Sequence, residues 1–221
     1  MTALPARDYA AFLFDMDGTI LTSIIAAERV WAAWARSHGL DVDVFLPTIH
    51  GKRSIDTVRG VGLPDIDAEA EAHRITLAEI EDVEGIEAIA GVAAFLATLP
   101  LERWAIVTSA PRALAEARIA AAGLPTPPVM VAAEDVQRGK PAPDPFLLGA
   151  EKLGMRPQDC LVFEDTLAGL QSAEAAGMDS IVVTATHHEP LETKVTGVPD
   201  YDDLRAIRTP EGLLRLQRTR S

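Results

Sequence analysis

From about residue 90 onward the sequence alternates short apolar runs with amphipathic stretches, and that alternation restricts the fold more than any other feature. Residues 92–99 read as helix, 104–107 as a buried strand, and 112–122 as a helix stopped by Gly123. A short strand is expected at 129–131, a helix at 145–153 stopped by Gly154, and a strand at 160–163. Residues 167–176 read as a helix stopped by Gly177, followed by a strand at 180–183. Glycine just past a helix supplies the left-handed backbone that ends it. Strands separated by helical segments form βαβ units, and these build a parallel sheet with helices on both faces. The apolar run 10–14 reads as one more buried strand. The expected fold class is α/β.

Residues 21–90 differ. They carry helical patterns and no convincing strand. Ile24, Ala27, Trp31 and Trp34 fall on one helical face, and 67–81 is a second amphipathic candidate. Between them lies a polar, basic loop, His50-Gly51-Lys52-Arg53-Ser54. The tryptophan pair reads as core rather than as a ligand cage. The expected organisation is a core domain of residues 1–20 and 91–221, with an all-helical insert at 21–90 forming a lid over the strand ends. Ligands of open α/β sheets bind at those carboxyl ends.

Four segments at predicted strand ends or in loops carry chemistry. Asp15-Met16-Asp17-Gly18-Thr19 follows the first apolar run. Two carboxylates two residues apart, then Gly, suit a magnesium-dependent phosphoryl-transfer site. One acid can act as nucleophile and the other as general acid/base. The amides of the Gly18-Thr19 turn can hold phosphate oxygens. A calcium loop fits poorly, because its fifth and twelfth positions would be Thr19 and Ala26; an ordinary Asp-Gly turn stays open. Thr108 and Ser109 end the strand at 104–107, where a hydroxyl can donate to phosphate or simply cap the helix after Pro111. Lys140 stands in the rigid loop Gly139-Lys140-Pro141-Ala142-Pro143-Asp144, as a point charge for phosphate and carboxylate or as a solvated lysine. Glu164 and Asp165 end the strand at 160–163 and offer oxygens to a hard cation; Asp165 can equally cap the next helix.

Taken jointly, these segments resemble the haloacid dehalogenase superfamily of phosphohydrolases. All four of that family's motifs have a counterpart: Asp15–Thr19, Thr108, Lys140 and Glu164-Asp165, with 139–146 and 163–169 matching closely. The resemblance covers essentially the whole chain. It implies a Rossmann-like core with a helical cap inserted after the first motif. It also implies a mechanism: Asp15 attacks phosphorus, and Asp17 protonates the leaving alkoxide and then deprotonates water. Mg²⁺ is held by Asp15, Asp165 and the Asp17 carbonyl, with Glu164 close by. Gly18, Thr108, Ser109 and Lys140 bind the phosphoryl group, and His50, Gly51, Lys52 and Arg53 meet the substrate from the cap. The stretch 28–59 is similar to sugar phosphatases of the 2-deoxyglucose-6-phosphatase and glycerol-3-phosphatase group. The expected partner is therefore a small phosphorylated sugar or polyol.

Within the superfamily a phosphosugar mutase would carry a histidine ten residues after the second acid, where this chain has Ala27. A dehalogenase lacks the second acid, present here as Asp17. A phosphonate hydrolase needs a Schiff-base lysine in the cap, a role open to Lys52. A non-catalytic binding protein is opposed by the intact acids, Thr108 and Lys140. Thr22 departs from the family pattern, in which an Asp precedes the serine at 23.

Composition narrows the partners further. A net charge of −13 opposes a nucleic-acid surface but not a small anion, whose field a metal and a few cations can reverse. Apolar stretches are too short to span a bilayer, and residues 1–8 show no secretory signal. Cys160 is the sole cysteine, which excludes an internal disulfide and fits a reducing cytoplasm; it reads as a small core residue. The five histidines show no zinc-type spacing with cysteine, and His187-His188 is expected in a solvated loop. No heptad pattern is visible, so a monomer is expected, with a dimer open.

Overall fold

The computed structural model describes residues 4–187 and 189–219. Its centre is a parallel sheet. The chain runs β1 (Ala11–Phe14), β2 (Leu21–Thr22), then four helices: α1 (Ile24–Ser37), α2 (Val42–Phe45), α3 (Ser54–Val61) and α4 (Ala68–Glu81). It continues through β3 (Glu87–Ala88), α5 (Val92–Ala97), β4 (Trp104–Val107), α6 (Arg112–Ala121), β5 (Met130–Val131), α7 (Asp144–Leu153) and β6 (Cys160–Glu164). Last come α8 (Leu167–Ala175), β7 (Asp179–Val183), β8 (Gly197–Val198), β9 (Leu204–Arg208) and β10 (Leu214–Arg218).

Six strands form one sheet in the order β5-β4-β1-β6-β7-β8, with every pairing parallel. Strand order reverses beside β1, which makes its carboxyl end a switch point where a crevice opens. The pleat sorts side chains to the two faces. Phe12, Phe14, Trp104, Ile106, Leu161 and Phe163 share one face with Phe95 of α5 and Tyr201. Leu13, Val107 and Val162 face the other way, against Phe146 and Ala150 of α7 and Ala173 of α8. The first face is largely aromatic; Phe14 stacks on Phe163 with centroids 4.8 Å apart. Cys160 is fully buried on the second face, a core residue as expected.

Helices α1–α4 have their own apolar cluster, built from Trp31, Trp34, Phe45, Val58 and Ile75. Asp67 caps α4 by accepting from the amides of Glu69 and Ala70. The stretch 21–90 is not free of strands, however. Leu21 and Thr22 pair antiparallel with Ala88 and Glu87, so a two-residue ladder ties the start of this stretch to its end. Two residues per strand are too few to show a period in sequence. A second feature outside the sequence reading is the hairpin β9-β10, tied to the segment leading into β1 by paired Tyr9 and Leu214 backbone bonds of 2.8 and 2.7 Å. His187 follows the turn at 185–186, its amide donating to the Thr184 carbonyl at 3.1 Å, and is half-buried; His188 lies outside the described residues. Among the described residues no helix is long and apolar enough to cross a membrane.

Candidate active site

All parallel strands end on one rim, and the four motifs meet there. Asp15 directly follows β1, and its amide donates to the Phe163 carbonyl of β6 at 2.9 Å, extending the ladder by one residue. Thr108 follows β4 in the same way, donating to the Val131 carbonyl at 2.9 Å. Glu164 is the last residue of β6 and Asp165 the next. Lys140 arrives from the proline-bounded loop before α7. Its Nζ donates to Asp15 Oδ1 at 2.5 Å and to Glu164 Oε1 at 2.8 Å, and lies 5.0 Å from the Phe146 ring centroid. With its side chain 1% exposed, this lysine is no solvated surface cation.

The second oxygen of Glu164, Oε2, accepts from the Asp165 amide (2.7 Å), the Thr166 amide (2.6 Å) and the Thr166 hydroxyl (3.0 Å). The cap of α8 is Thr166, whose hydroxyl accepts from the Gly169 amide, so Asp165 is free of that duty. Two glycines make this packing possible. A Cβ on Gly169 would stand 1.7 Å from Glu164 Oε1. A Cβ on Gly18, whose φ is +83°, would stand 2.0 Å from Asp165 Oδ2.

Carboxylate oxygens of Asp15, Glu164 and Asp165 lie within 4.8 Å of one another. Burial pushes the Asp15 carboxyl upward, with Glu164 adding to the rise and Lys140 opposing it. Asp165 is raised for the same reasons, burial first and then its acid neighbours. Burial works against the charge on Lys140, but Asp15 and Glu164 outweigh it and its pKa is raised. One cation thus faces three crowded carboxylates. An all-oxygen donor set with unbalanced negative charge fits a divalent metal ion, and the glycine at 18 leaves the space for Asp165 to present its oxygens.

Asp17 sits at the start of a second network. Its Oδ1 accepts from Ser23 Oγ at 2.5 Å and from Arg118 Nη1 at 3.0 Å. Arg118 Nη2 donates to Glu79 Oε1 of α4 at 2.9 Å. Burial raises Glu79 to about 7, with Arg118 holding it back. Neither Arg118 nor Glu79 was singled out from sequence. The signal was there for Arg118: Leu114, Ala115 and Ile119 give its helix face as buried, and a basic residue sits among them.

A cavity of about 80 Å³ lies between the sheet rim and the helices, lined on one side by Asp15, Asp17, Thr108 and Ser109. His50, Gly51 and Lys52 line the other side, with Trp31 and Ala27. Trp31 is therefore both core and wall. Thr108 Oγ1 accepts from the Ala110 amide at 3.0 Å, which leaves its O–H free to donate. Ser109 Oγ donates to the Gly51 carbonyl at 3.2 Å and so joins the basic loop to the rim. His50 pairs with Glu28 at 3.4 Å. Lys52 is exposed at the cavity mouth. Arg53 is not brought to this cavity. Its guanidinium is held by Asp56 (2.6 and 3.1 Å) and donates to the Gln137 carbonyl (3.1 Å), so it braces the loop that carries Lys140.

The profile of haloacid dehalogenase-like hydrolases matches residues 9–177. The chain belongs to the haloacid dehalogenase-like hydrolase family. Hexitol phosphatase A of Escherichia coli is 43% identical over 211 residues, spanning 93% of this chain and 98% of that one. Glycerol-1-phosphate phosphohydrolase 2 of Saccharomyces cerevisiae is 33% identical, over 80% of this chain and 75% of that one. The crystal structure of β-phosphoglucomutase from Clostridium difficile superposes with a TM-score of 0.75 at 22% identity, covering 87% of this chain and 91% of that one. That last likeness speaks for the fold alone. As a haloacid dehalogenase-like hydrolase with phosphatase relatives along most of its length, this chain is a phosphatase, an enzyme that hydrolyses phosphomonoesters.

Proposed function

We propose that this hydrolase is a Mg²⁺-dependent phosphatase of a small sugar or polyol phosphate, working through an aspartyl-phosphate on Asp15. The observation that carries the reading is the pairing of Asp15 with a fully buried Lys140 at the wall of a small polar cavity, with Asp17 beside it. The relatives named hexitol phosphatase and glycerol-1-phosphate phosphohydrolase support the substrate class. Asp15 Oδ2 is the attacking atom, since Oδ1 is taken by Lys140. As the phosphorus–oxygen bond to the leaving group breaks, Asp17 delivers a proton to the departing alkoxide. The same carboxylate then removes a proton from the water that hydrolyses the acyl phosphate, returning Asp15.

Lys140 and the Thr108 hydroxyl hold the phosphoryl oxygens; the Gly18 amide, expected from the sequence to join them, is instead spent on the Leu21 carbonyl at 2.7 Å. Asp15, Asp165 and the Asp17 carbonyl would hold Mg²⁺, with Glu164 beside them, and such an ion would supply positive charge that offsets the repulsion between carboxylate and phosphate. Lys52 and His50 meet the substrate from the helical side. In this reading residues 1–20 and 91–221 are the Rossmann-like core and 21–90 the cap. A cavity this small excludes bulk water around the ester, so substrate entry requires the cap to swing. Ala27 lines the cavity where a mutase would present a histidine, which favours hydrolysis over phosphoryl return to a sugar. One chain suffices for the site, and a reducing cytoplasm suits its single thiol.

A panel of hexitol, hexose, pentose and glycerol phosphates, scored by kcat/KM with and without Mg²⁺, tests the reading. Turnover of polyol or sugar phosphates that disappears in chelator and in Asp15→Asn is expected. Full activity of Asp15→Asn would refute the nucleophile assignment.

A further inference from the structure

We propose that Arg118, braced by Glu79, is a positioning residue that dictates which oxygen of Asp17 serves the leaving group. The inference rests on the assignment of Asp17 as general acid.

Arg118 projects from α6 into a buried setting, its side chain 7% exposed, and Glu79 of α4 is 4% exposed. Burying these charges is costly unless each is paired in good geometry. The guanidinium is spent on two carboxylates only, Nη1 on Asp17 and Nη2 on Glu79, while its buried Nε–H has no partner. A simple packing role would not require this fork to reach across to a residue of the catalytic motif.

The consequence lies in the two oxygens of Asp17. Oδ1 accepts from both Arg118 and Ser23. Among the described residues no hydrogen bond reaches Oδ2. A protonated carboxyl carries its proton on one oxygen and accepts on the other. Two donors aimed at Oδ1 make that oxygen the acceptor and leave Oδ2 to carry the proton. Asp17 lines the cavity with its side chain 30% exposed, so the proton-bearing oxygen is the one left to meet an incoming ester. Without Arg118 only Ser23 still holds Oδ1, the carboxyl is less restrained about its last bond, and the proton is misplaced for part of the time. Glu79 makes the arrangement conditional. It belongs to α4, within the helical insert, whereas Arg118 belongs to the sheet domain. Arg118 is held between the two acids only while α4 is seated on α6.

Leaving-group dependence separates positioning from mere structural support. The double variant Arg118→Met/Glu79→Met removes both buried charges while keeping volume, a replacement that leaves stability near neutral in comparable buried pairs. Arg118→Lys is a second variant that keeps charge but loses the fork. Single-turnover consumption of p-nitrophenyl phosphate and phenyl phosphate is compared. The nitrophenolate departs with little help, whereas the phenolate needs its proton. Both variants are expected to raise the nitrophenyl-to-phenyl rate ratio, the double variant by roughly tenfold, a fraction of the ~10²–10⁴ that a general acid contributes. An unchanged ratio in both variants, even with both rates lowered equally, overturns the inference. Asp17→Asn is run alongside. If it too leaves the ratio unchanged, the acid assignment has failed and the inference with it. If it steepens the ratio while the Arg118 variants do not, only the positioning role fails.

Discussion

Replacing Gly169 by alanine tests the architecture of the acid cluster through the sign of its effect. Gly169 lies in the first turn of α8, where an ordinary Gly→Ala change stabilises a helix by up to about 1 kcal/mol. Here the added methyl would stand 1.7 Å from Glu164 Oε1 and 1.9 Å from its Cδ, so the carboxylate must move. That carboxylate holds Lys140 with one oxygen and the Asp165 and Thr166 amides with the other. Displacing it breaks at least two hydrogen bonds to a charged group, at about 1.5–3 kcal/mol each. After the helix-propensity gain, the net loss is about 2–5 kcal/mol. For a chain of this size that lowers Tm by roughly 4–20 °C, at ~2–4 °C per kcal/mol. Differential scanning calorimetry reads the shift. Turnover should fall as well, because Lys140 loses one of the two carboxylates that aim it at Asp15. A Tm that rises by a few degrees with turnover intact would refute the reasoning, since it would mean Gly169 is only a helix glycine.

Metal removal should reverse the usual effect of pH on the site. Asp15 and Asp165 are raised by burial, and an acid raised on folding contributes stability that is present below its unfolded pKa and lost as pH rises through the folded one. In chelator, Tm should therefore fall between about pH 4, the ordinary carboxylate value, and pH 8, to which Asp15 is pushed. The fall should shrink when Mg²⁺ is added, and a chelated protein that gains stability across that window would contradict the account. Trp34→Phe removes the 3.0 Å bond from the indole Nε1 to the buried Glu71 carboxylate, so urea unfolding should show a loss of about 1–3 kcal/mol; no loss would mean the bond contributes nothing net. Lys52→Ala, at the exposed cavity mouth, should raise KM more than it lowers kcat. An equal fall in kcat and kcat/KM would place Lys52 in the transition state instead.

Strands β1, β4, β6 and β7 were legible because they are buried on both faces, so each reads as an unbroken apolar run. The rim acids, Thr108 and Lys140 were legible for a related reason: a polar residue directly after such a run stands at a strand end. Sheet order was not legible, since nothing local in β1 says that β4 and β6 flank it. The hairpin β9-β10 was missed although its alternation is visible afterwards: Leu214 and Leu216 are buried while Arg215 is exposed. Arg53 and Lys52 are adjacent in the basic loop, yet one braces a loop and the other lines the cavity. Composition does not separate neighbours whose side chains leave the backbone in different directions. Glu79 read as one more acid on an amphipathic helix, and only the approach of α6 turns it into the partner of Arg118.

Trapping the covalent intermediate tests the central claim most directly. The Mg²⁺-loaded enzyme is mixed with a polyol phosphate, quenched in acid and reduced with borohydride, which converts an aspartyl-phosphate to homoserine. Peptide mass spectrometry then locates the conversion. The account predicts homoserine at residue 15 alone, dependent on substrate. Homoserine at another acid, or rapid turnover with residue 15 recovered unchanged, would contradict it.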